Sequence, residues 1–406
     1  IQMNVVKGLH ENSATNASNA DASNIYRQAL IHNPTEPIWN NDGTYYENFQ
    51  VNYYYNPVGM IKERTGSYNT EWTRLTGNIT FEPVSGWQTN LMVASRLFNA
   101  HDKGYYTSEY YSQKMENHTG YAYHSFSGSR TDNLELTSKY HNFFGDHRFD
   151  GLVGYSYQYN VNEGFNANNY DFQNDFFKYN NLGVGMALKD GKAGMGSYKN
   201  DNRLIGFFGR ISYGYDDRYN LLLSVRQEGS SKFGENHKWG TFPSASFGWT
   251  VSNESFMEDI TWVNNLKLRA GYGVTGVIPN NSYQSLTRYA LGSSYYYENG
   301  VWKPGLVVAS NPNPDLKWEK SEEVNIGLDL STLNDRLGAS IDLYSKHTND
   351  MLWWYSVPAP PNLYTQTLAN VGEMSNKGIE VAINAVPFRT NAFEWKSTLT
   401  GSFSTN

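Results

Sequence analysis

Three sets of residues in this 406-residue chain have types and spacings that suggest chemistry. Gly271-Tyr272-Gly273-Val274-Thr275-Gly276 matches G-x-G-x-x-G, in which glycine amides and a helix N-terminus cradle a pyrophosphate. That motif needs a helix opening on it. Here apolar alternation runs straight through and Val277-Ile278-Pro279 follows, so small residues on the polar side of a strand end are the better reading. Nine histidines, among them His10, His101, His118, His124, His141, His147 and His237, form neither H-E-x-x-H nor a helical i, i+4 pair. Cysteine is absent, which excludes disulfides, thiolate metal sites and Cys nucleophiles. There is no G-x-S-x-G elbow and no carboxylate pair in a setting that would separate two pKa values. No catalytic residue, cofactor or metal is expected.

The third set is aromatic: Tyr53-Tyr54-Tyr55, Tyr105-Tyr106, Tyr110-Tyr111, Tyr295-Tyr296-Tyr297 and Trp353-Trp354-Tyr355. Such rings stack on sugars and peptides or contact a partner protein; they also form membrane-interface girdles and pack loops together. Trp353 and Trp354 are the strongest candidates for ligand contact, because they are expected just past a strand end.

The elements that would carry these rings are strands. Val324, Ile326, Leu328 and Leu330 interleave with Asn325, Gly327, Asp329 and Ser331. After a turn at Asn334-Asp335, Leu337, Ala339, Ile341 and Leu343 repeat the pattern. Period-two alternation gives a strand one apolar and one polar face. About thirteen such strands are expected, joined by connections that alternate strictly between short and long. Tight turns are expected at Pro83 to Gly86, Gly145-Asp146 and Asp216-Asp217. Long segments are expected from strand one to about Tyr68, from Phe98 to about Ser129, for roughly forty residues after Tyr159, and to about Pro314. Ser252 to Ile260 has room for a short helical turn. The Asn- and Ala-rich stretch from Asn12 to Asn24 reads as locally flexible.

Composition fits this pattern. Hydrophobic content is 39% and aromatic content 16%, with a mean hydropathy of -0.63. No apolar run approaches the ~18 residues of a helical span, but a spanning barrel needs apolar residues only at alternate positions. The net charge of -7 disfavours a nucleic-acid partner. The polar face carries Arg74, Lys139, Arg210, Arg226, Lys267, Arg269, Asp329, Asp342, Lys346 and Glu380. Each would cost about 2–4 kcal/mol or less, depending on depth, if it faced lipid, so these groups are assigned to a wet or plugged lumen. The fold expected is all-β: an up-and-down antiparallel transmembrane β-barrel with short periplasmic turns and long extracellular loops. Thirteen is odd, whereas bacterial single-chain barrels close on even numbers. Residues 1–406 are therefore read as part of a single barrel domain, opening mid-strand near Ile1, with some strands and any plug absent.

Several stretches resemble the SusC/RagA family of TonB-dependent outer-membrane transporters of Bacteroidetes. Asn313-Pro314-Asp315-Leu316-Lys317-Trp318-Glu319 is the clearest, followed by Asn325-Ile326-Gly327-Leu328-Asp329. Asn370-Val371-Gly372 with Asn376-Lys377-Gly378-Ile379-Glu380 is a second signature. A third is Arg226, Gly229-Ser230-Ser231-Lys232-Phe233-Gly234, Phe242-Pro243-Ser244 and Gly248-Trp249. Gly273-Val274-Thr275-Gly276 and Asn33-Pro34-Thr35-Glu36-Pro37 add to it. The resemblance implies a barrel of about 22 strands around an N-terminal plug, in the outer membrane of a Gram-negative bacterium. It implies import of glycan or peptide oligomers delivered by a SusD-like surface lipoprotein, with energy from TonB reached through an N-terminal region absent here. Two other readings remain at this point: a non-importing outer-membrane barrel serving adhesion or secretion, and a soluble β-rich glycan-binding protein.

Overall fold

The structure, a computed structural model, describes residues 2–13 and 24–406. Ile1 and most of the Asn12–Asn24 stretch lie outside the described residues. The alternating segments form β1 (Gln2–Ser13), β2 (Arg64–Val84), β3 (Trp87–Tyr106), β4 (Tyr121–Phe144) and β5 (His147–Tyr170). They continue as β6 (Met195–Tyr215), β7 (Tyr219–Ser230), β8 (Trp239–Thr250) and β9 (Val263–Val277). A separate two-stranded hairpin, β10 (Tyr289–Glu298) with β11 (Val301–Val308), interrupts the next long connection. The chain then returns as β12 (Glu319–Thr332), β13 (Leu337–Ser356), β14 (Gln366–Arg389) and β15 (Glu394–Thr405). All but the hairpin belong to one 13-stranded antiparallel sheet in chain order, with β1 and β15 at its edges. Among the described residues no helix is long and apolar enough to cross a membrane; here the strands are the crossing elements.

The register puts one kind of residue on each face. Leu268 pairs with Leu328 and Leu328 with Ile341; Ala270 pairs with Ile326, Ile326 with Leu343, Leu343 with Ile379 and Ile379 with Phe403. On the other side of the chain Val93 pairs with Leu134 and Leu134 with Tyr157, while Ile211 pairs with Leu223. These apolar side chains are left open to the surroundings, with Ile326 56% and Leu343 52% exposed. A continuous exposed apolar face on a wall one sheet thick is a lipid-facing surface. Rows of the opposite parity are polar. One runs Gln88, Lys139, Leu152, Arg210, Ser224, Ser244, Gly273, Glu323, Lys346 and Asn376 through successive pairings.

Two expectations need correction. Several strands run much further than apolar alternation shows. β3 continues to Tyr106 and β4 begins at Tyr121, so the expected Tyr-rich loop to Ser129 shrinks to residues 107–120. The expected forty-residue loop after Tyr159 shrinks likewise to residues 171–194. Beyond the bilayer no lipid demands one apolar face, so ladder hydrogen bonds persist after hydrophobic alternation ends. The second correction concerns loop parity. Residues 85–86, 145–146, 216–218, 333–336 and 390–393 are tight, but the β8–β9 connection on the same side spans 251–262, longer than the opposite-side connection 231–238.

That longer connection is fastened by one carboxylate. Short 3-10 turns at Val251–Asn253 and Ser255–Met257 bring Glu254 under the wall. It accepts from Tyr219 Oη at 2.6 Å, Trp249 Nε1 at 2.8 Å and Arg218 Nη1 at 3.0 Å. These donors, Tyr219 first, hold the Glu254 carboxyl below its usual pKa.

Candidate functional site

The signatures at Gly229–Gly234, Phe242–Ser244, Asn313–Glu319 and Asn370–Gly372 converge on one knot at the long-loop end. Trp318 and Leu316 are buried there with Phe233, Phe242 and Leu368, and Leu204, Val274, Ile278 and Leu352 pack around them. The Trp318 ring lies 4.8 Å from Phe233 and 5.1 Å from Phe242, and its Nε1 donates to the Lys238 carbonyl at 3.1 Å. Asn313 Nδ2 donates to the Leu368 carbonyl, Asn370 Oδ1 accepts from Lys317 N–H, and Glu319 Oε2 accepts from Leu352 N–H at 3.0 Å. Glycine is needed where the segments touch. A Cβ on Gly234 would sit 1.8 Å from the Pro314 carbonyl oxygen, and one on Gly276 would sit 2.4 Å from the Phe242 ring. Gly276, the last glycine of the G-x-G-x-x-G match, thus makes room for aromatics. The whole match lies inside β9, with no helix opening on it.

Two cavities flank this knot and share Ile278, Asn280, Asn281 and Gln284. One, of about 610 Å³, is bordered by Trp353, Trp354, Leu352 and Leu368. The other, of about 660 Å³, is polar and lined by Asn160, Asn162, Asn200, Asn202, Lys232 and Arg288 among others. Asn160 and Asn202 continue the lumenal row from Arg96 and Thr131. Their amides are linked, Asn160 Nδ2 to Asn202 Oδ1 at 3.0 Å, with Thr131 Oγ1 donating to Asn160 at 2.9 Å. Lys232 is buried, and its Nζ donates to the carbonyls of Pro279 at 2.9 Å and Asn280 at 2.8 Å. Burial lowers the Lys232 pKa.

The aromatic candidates separate into distinct settings. Tyr105 is fully buried, donating to Asp175 Oδ1 at 2.7 Å and edge-on to Phe172. Tyr110 is buried with Tyr55 and Met60, Tyr106 packs against them, and burial pushes the Tyr110 phenol up. These rings pack the loops around α1 (Ile25–Ile31), α2 (Pro57–Lys62) and α3 (Tyr111–Glu116) to the tops of β3 and β4. Tyr295, Tyr296 and Tyr297 lie exposed on β10, Tyr297 against Trp302 at 5.3 Å. Trp353, Trp354 and Tyr355 lie inside β13 rather than past its end, because that strand runs on to Ser356. Neighbours in a strand point to opposite faces. Trp354 pairs with buried Leu368, so Trp354 shares the face of the knot, and Trp353 and Tyr355 take the other.

Sequence reasoning did not single out Lys232, Arg288 or the asparagines. A signal existed: Asn160-Val161-Asn162 and Asn200-Asp201-Asn202 each place two amides on one strand face by period-two spacing. Several histidines make local contacts, such as His141 Nδ1 with Asp150 Oδ1 at 2.7 Å, and no metal-holding cluster exists among the described residues.

Comparisons with known proteins agree with this wall. The profile described as TonB dependent receptor-like, beta-barrel, matches residues 10–406. A TonB-dependent receptor of Formosa agariphila is 36% identical over 66% of this chain and 25% of its own length. A second from the same organism is 30% identical over 92% of this chain and 38% of its own length. The TonB-dependent receptor SusC of Bacteroides thetaiotaomicron is 27% identical over 93% of this chain and 39% of its own length. The RagAB peptide transporter superposes with a TM-score of 0.76 at 23% identity, over 86% of this chain and 38% of that one, which shows a shared fold. The chain thus spans between a quarter and two fifths of the curated relatives it matches. A single lipid-facing apolar face, a charged opposite face and a family match over nearly the whole length lead to one conclusion: the chain belongs to the TonB-dependent receptor β-barrel family, among its SusC-like members, and is outer-membrane barrel wall.

Proposed function

We propose that this chain supplies part of the wall and the outward mouth of a nutrient importer, which takes up glycan or peptide oligomers across the outer membrane. The observation that carries the reading is the pair of cavities at the long-loop end, one polar and one aromatic, joined by Ile278–Gln284. A polar oligomer needs a hydrogen-bonding surface beside an apolar shelf to be held without covalent chemistry. In this reading the residues make and break no bond. The plug and remaining strands come from flanking sequence, and energy comes through TonB.

Exposed Tyr295, Tyr296 and Tyr297, with Trp353, Trp354 and Tyr355, are the proposed contacts to ligand or to a SusD-like surface lipoprotein. Tyr105, Tyr106 and Tyr110 act behind them, fixing the loops that present the site. The test is uptake in the source bacterium. A strain lacking the receptor gene should fail to accumulate at least one class of labelled oligomer, and the tagged full-length receptor should co-purify with a surface lipoprotein. Undiminished uptake of every oligosaccharide and peptide pool contradicts the reading.

A further inference from the structure

We infer that the polar cavity is an anion-binding subsite, and that the oligomer it receives is an acidic oligosaccharide carrying carboxylate or sulfate groups. This rests on the importer reading above and narrows its ligand class. The chain has 39 acidic residues against 32 basic, yet the cavity is lined by Lys199, Lys232 and Arg288 with no Asp or Glu. Lys199 is neutralised by Glu163 at 3.3 Å. The other two cations are held only by neutral acceptors. Lys232 Nζ donates to two carbonyls, which leaves its third N–H unassigned. Arg288 Nε donates to Ser310 Oγ at 3.2 Å and its Nη2 to Gln284 Oε1 at 3.3 Å. Asp201, between the lining residues Asn200 and Asn202 in sequence, is engaged by Tyr283 Oη and by Arg203 at 3.5 Å.

Neutral acceptors fix where a cation sits without cancelling its charge. Burying an unpaired cation is unfavourable, and a ligand anion offsets that cost. The rest of the lining selects the ligand's backbone. The asparagines pair across the strands, Asn160 Nδ2 to Asn202 Oδ1 and Asn162 Nδ2 to Asn200 Oδ1 at 3.3 Å, and the amide N–H that each leaves over can donate to a sugar hydroxyl. The neighbouring cavity offers Trp354 as a face for a sugar ring.

The test is calorimetric titration of the full-length receptor in detergent with oligosaccharides matched in length. One arm compares an oligogalacturonate with its methyl ester; another compares a sulfated oligomer with its desulfated form; a third uses an acidic peptide of equal charge. At least one acidic oligosaccharide should bind about tenfold or more tightly than its uncharged counterpart, with the difference shrinking as salt rises. The carboxylate and sulfate arms identify which group is recognised. Arg288→Gln and Lys232→Gln should each remove most of that preference. If Lys232→Gln disorders its loop, Arg288→Gln decides alone. Equal binding of charged and uncharged oligosaccharides, or an undiminished preference in Arg288→Gln, overturns the anion subsite. A preference shown only by the acidic peptide, or no oligosaccharide binding at all, overturns the sugar assignment. The importer reading is judged separately, by uptake in the deletion strain.

Discussion

The Arg269 guanidinium occupies the space that a side chain on Gly327 would fill. Gly327 of β12 pairs with Arg269 of β9 on one side and Asp342 of β13 on the other. A Cβ there would lie 2.6 Å from Arg269 Cζ and 2.7 Å from Asp342 Oδ1. Across this gap Arg269 reaches Asp342 at 3.0 Å and also holds Asp329 at 2.7 Å, tying three strands on the lumenal face. Gly327→Ala is expected to displace the guanidinium and destabilise the barrel by about 1 kcal/mol, the scale of a partly exposed ion pair lost from the lumenal face. Thermal unfolding of the full-length receptor in detergent measures it, with Gly338→Ala, which has only ordinary contacts, as the control.

The knot around Trp318 should be separable from the wall. Trp318→Ala removes a ring that is 4% exposed, and deleting such a ring costs about 3–5 kcal/mol. Because the loss falls on the loops, limited proteolysis between residues 278 and 318 should accelerate while the heat-dependent gel shift of the barrel persists. Gly234→Ala should produce the same pattern, since its Cβ meets backbone that has no side-chain freedom to yield.

Much of the wall could be read from sequence, and the reason lies in lipid. At Leu343 or Ile326 the bilayer demands an apolar side chain at every second position, so the period is written into residue type. The upper parts of β4 and β5 carry no such demand. Tyr121–Gly128 runs Tyr-Ala-Tyr-His-Ser-Phe-Ser-Gly, where loop packing, with Ala122 buried beside Tyr105 and Phe172, takes the place of lipid, and its strand character was not legible. The β10–β11 hairpin was hidden within its loop for the same reason. The candidate site was partly legible: aromatic clusters stood out by composition, but whether a ring packs a loop or faces a cavity depends on contacts across many residues, as Tyr105 with Asp175 shows. Lys232 was legible only as part of a family signature, because its burial depends on Pro279 and Asn280, nearly fifty residues away, accepting from its Nζ.

Glu47 should make the loop of residues 24–63 sensitive to pH. Its Oε2 accepts from Asn56 N–H at 3.0 Å, while its Oε1 is buried without a partner. Burial raises its pKa from 4.5 to about 7. The folded loop therefore holds this proton more tightly than the unfolded loop. The resulting stability is fully present below pH 4.5 and is lost as pH rises through about 7. Amide hydrogen exchange in this loop, corrected for intrinsic rates, should be slower at pH 5 than at pH 8, and Glu47→Gln should flatten the difference.

Trp353 and Trp354 should differ despite adjacency, because they occupy opposite faces of β13. Trp354→Ala should weaken oligomer binding by about 1 kcal/mol, the worth of one aromatic stacking contact. Trp353→Ala, which borders the same cavity from the opposite face of the strand, should weaken binding by less. Calorimetry on the two single variants of correctly inserted receptor separates them; equal losses, or none from either, contradict the assignment of faces.

The most direct test of the account is which face meets lipid. The chain has no cysteine, so single cysteines can be placed by Val324→Cys and Leu343→Cys on the apolar face, and by Glu323→Cys and Tyr344→Cys on the polar one. These are introduced into the full-length receptor, provided its flanking sequence is likewise free of cysteine, and reconstituted in vesicles. Fluorophores at 324 and 343 should be quenched by brominated acyl chains and react poorly with a membrane-impermeant maleimide. Positions 323 and 344 should show no lipid quenching, their access to water limited only by whatever fills the lumen. Lipid quenching at 323 and 344 in place of 324 and 343 would contradict the assignment of wall and lumen.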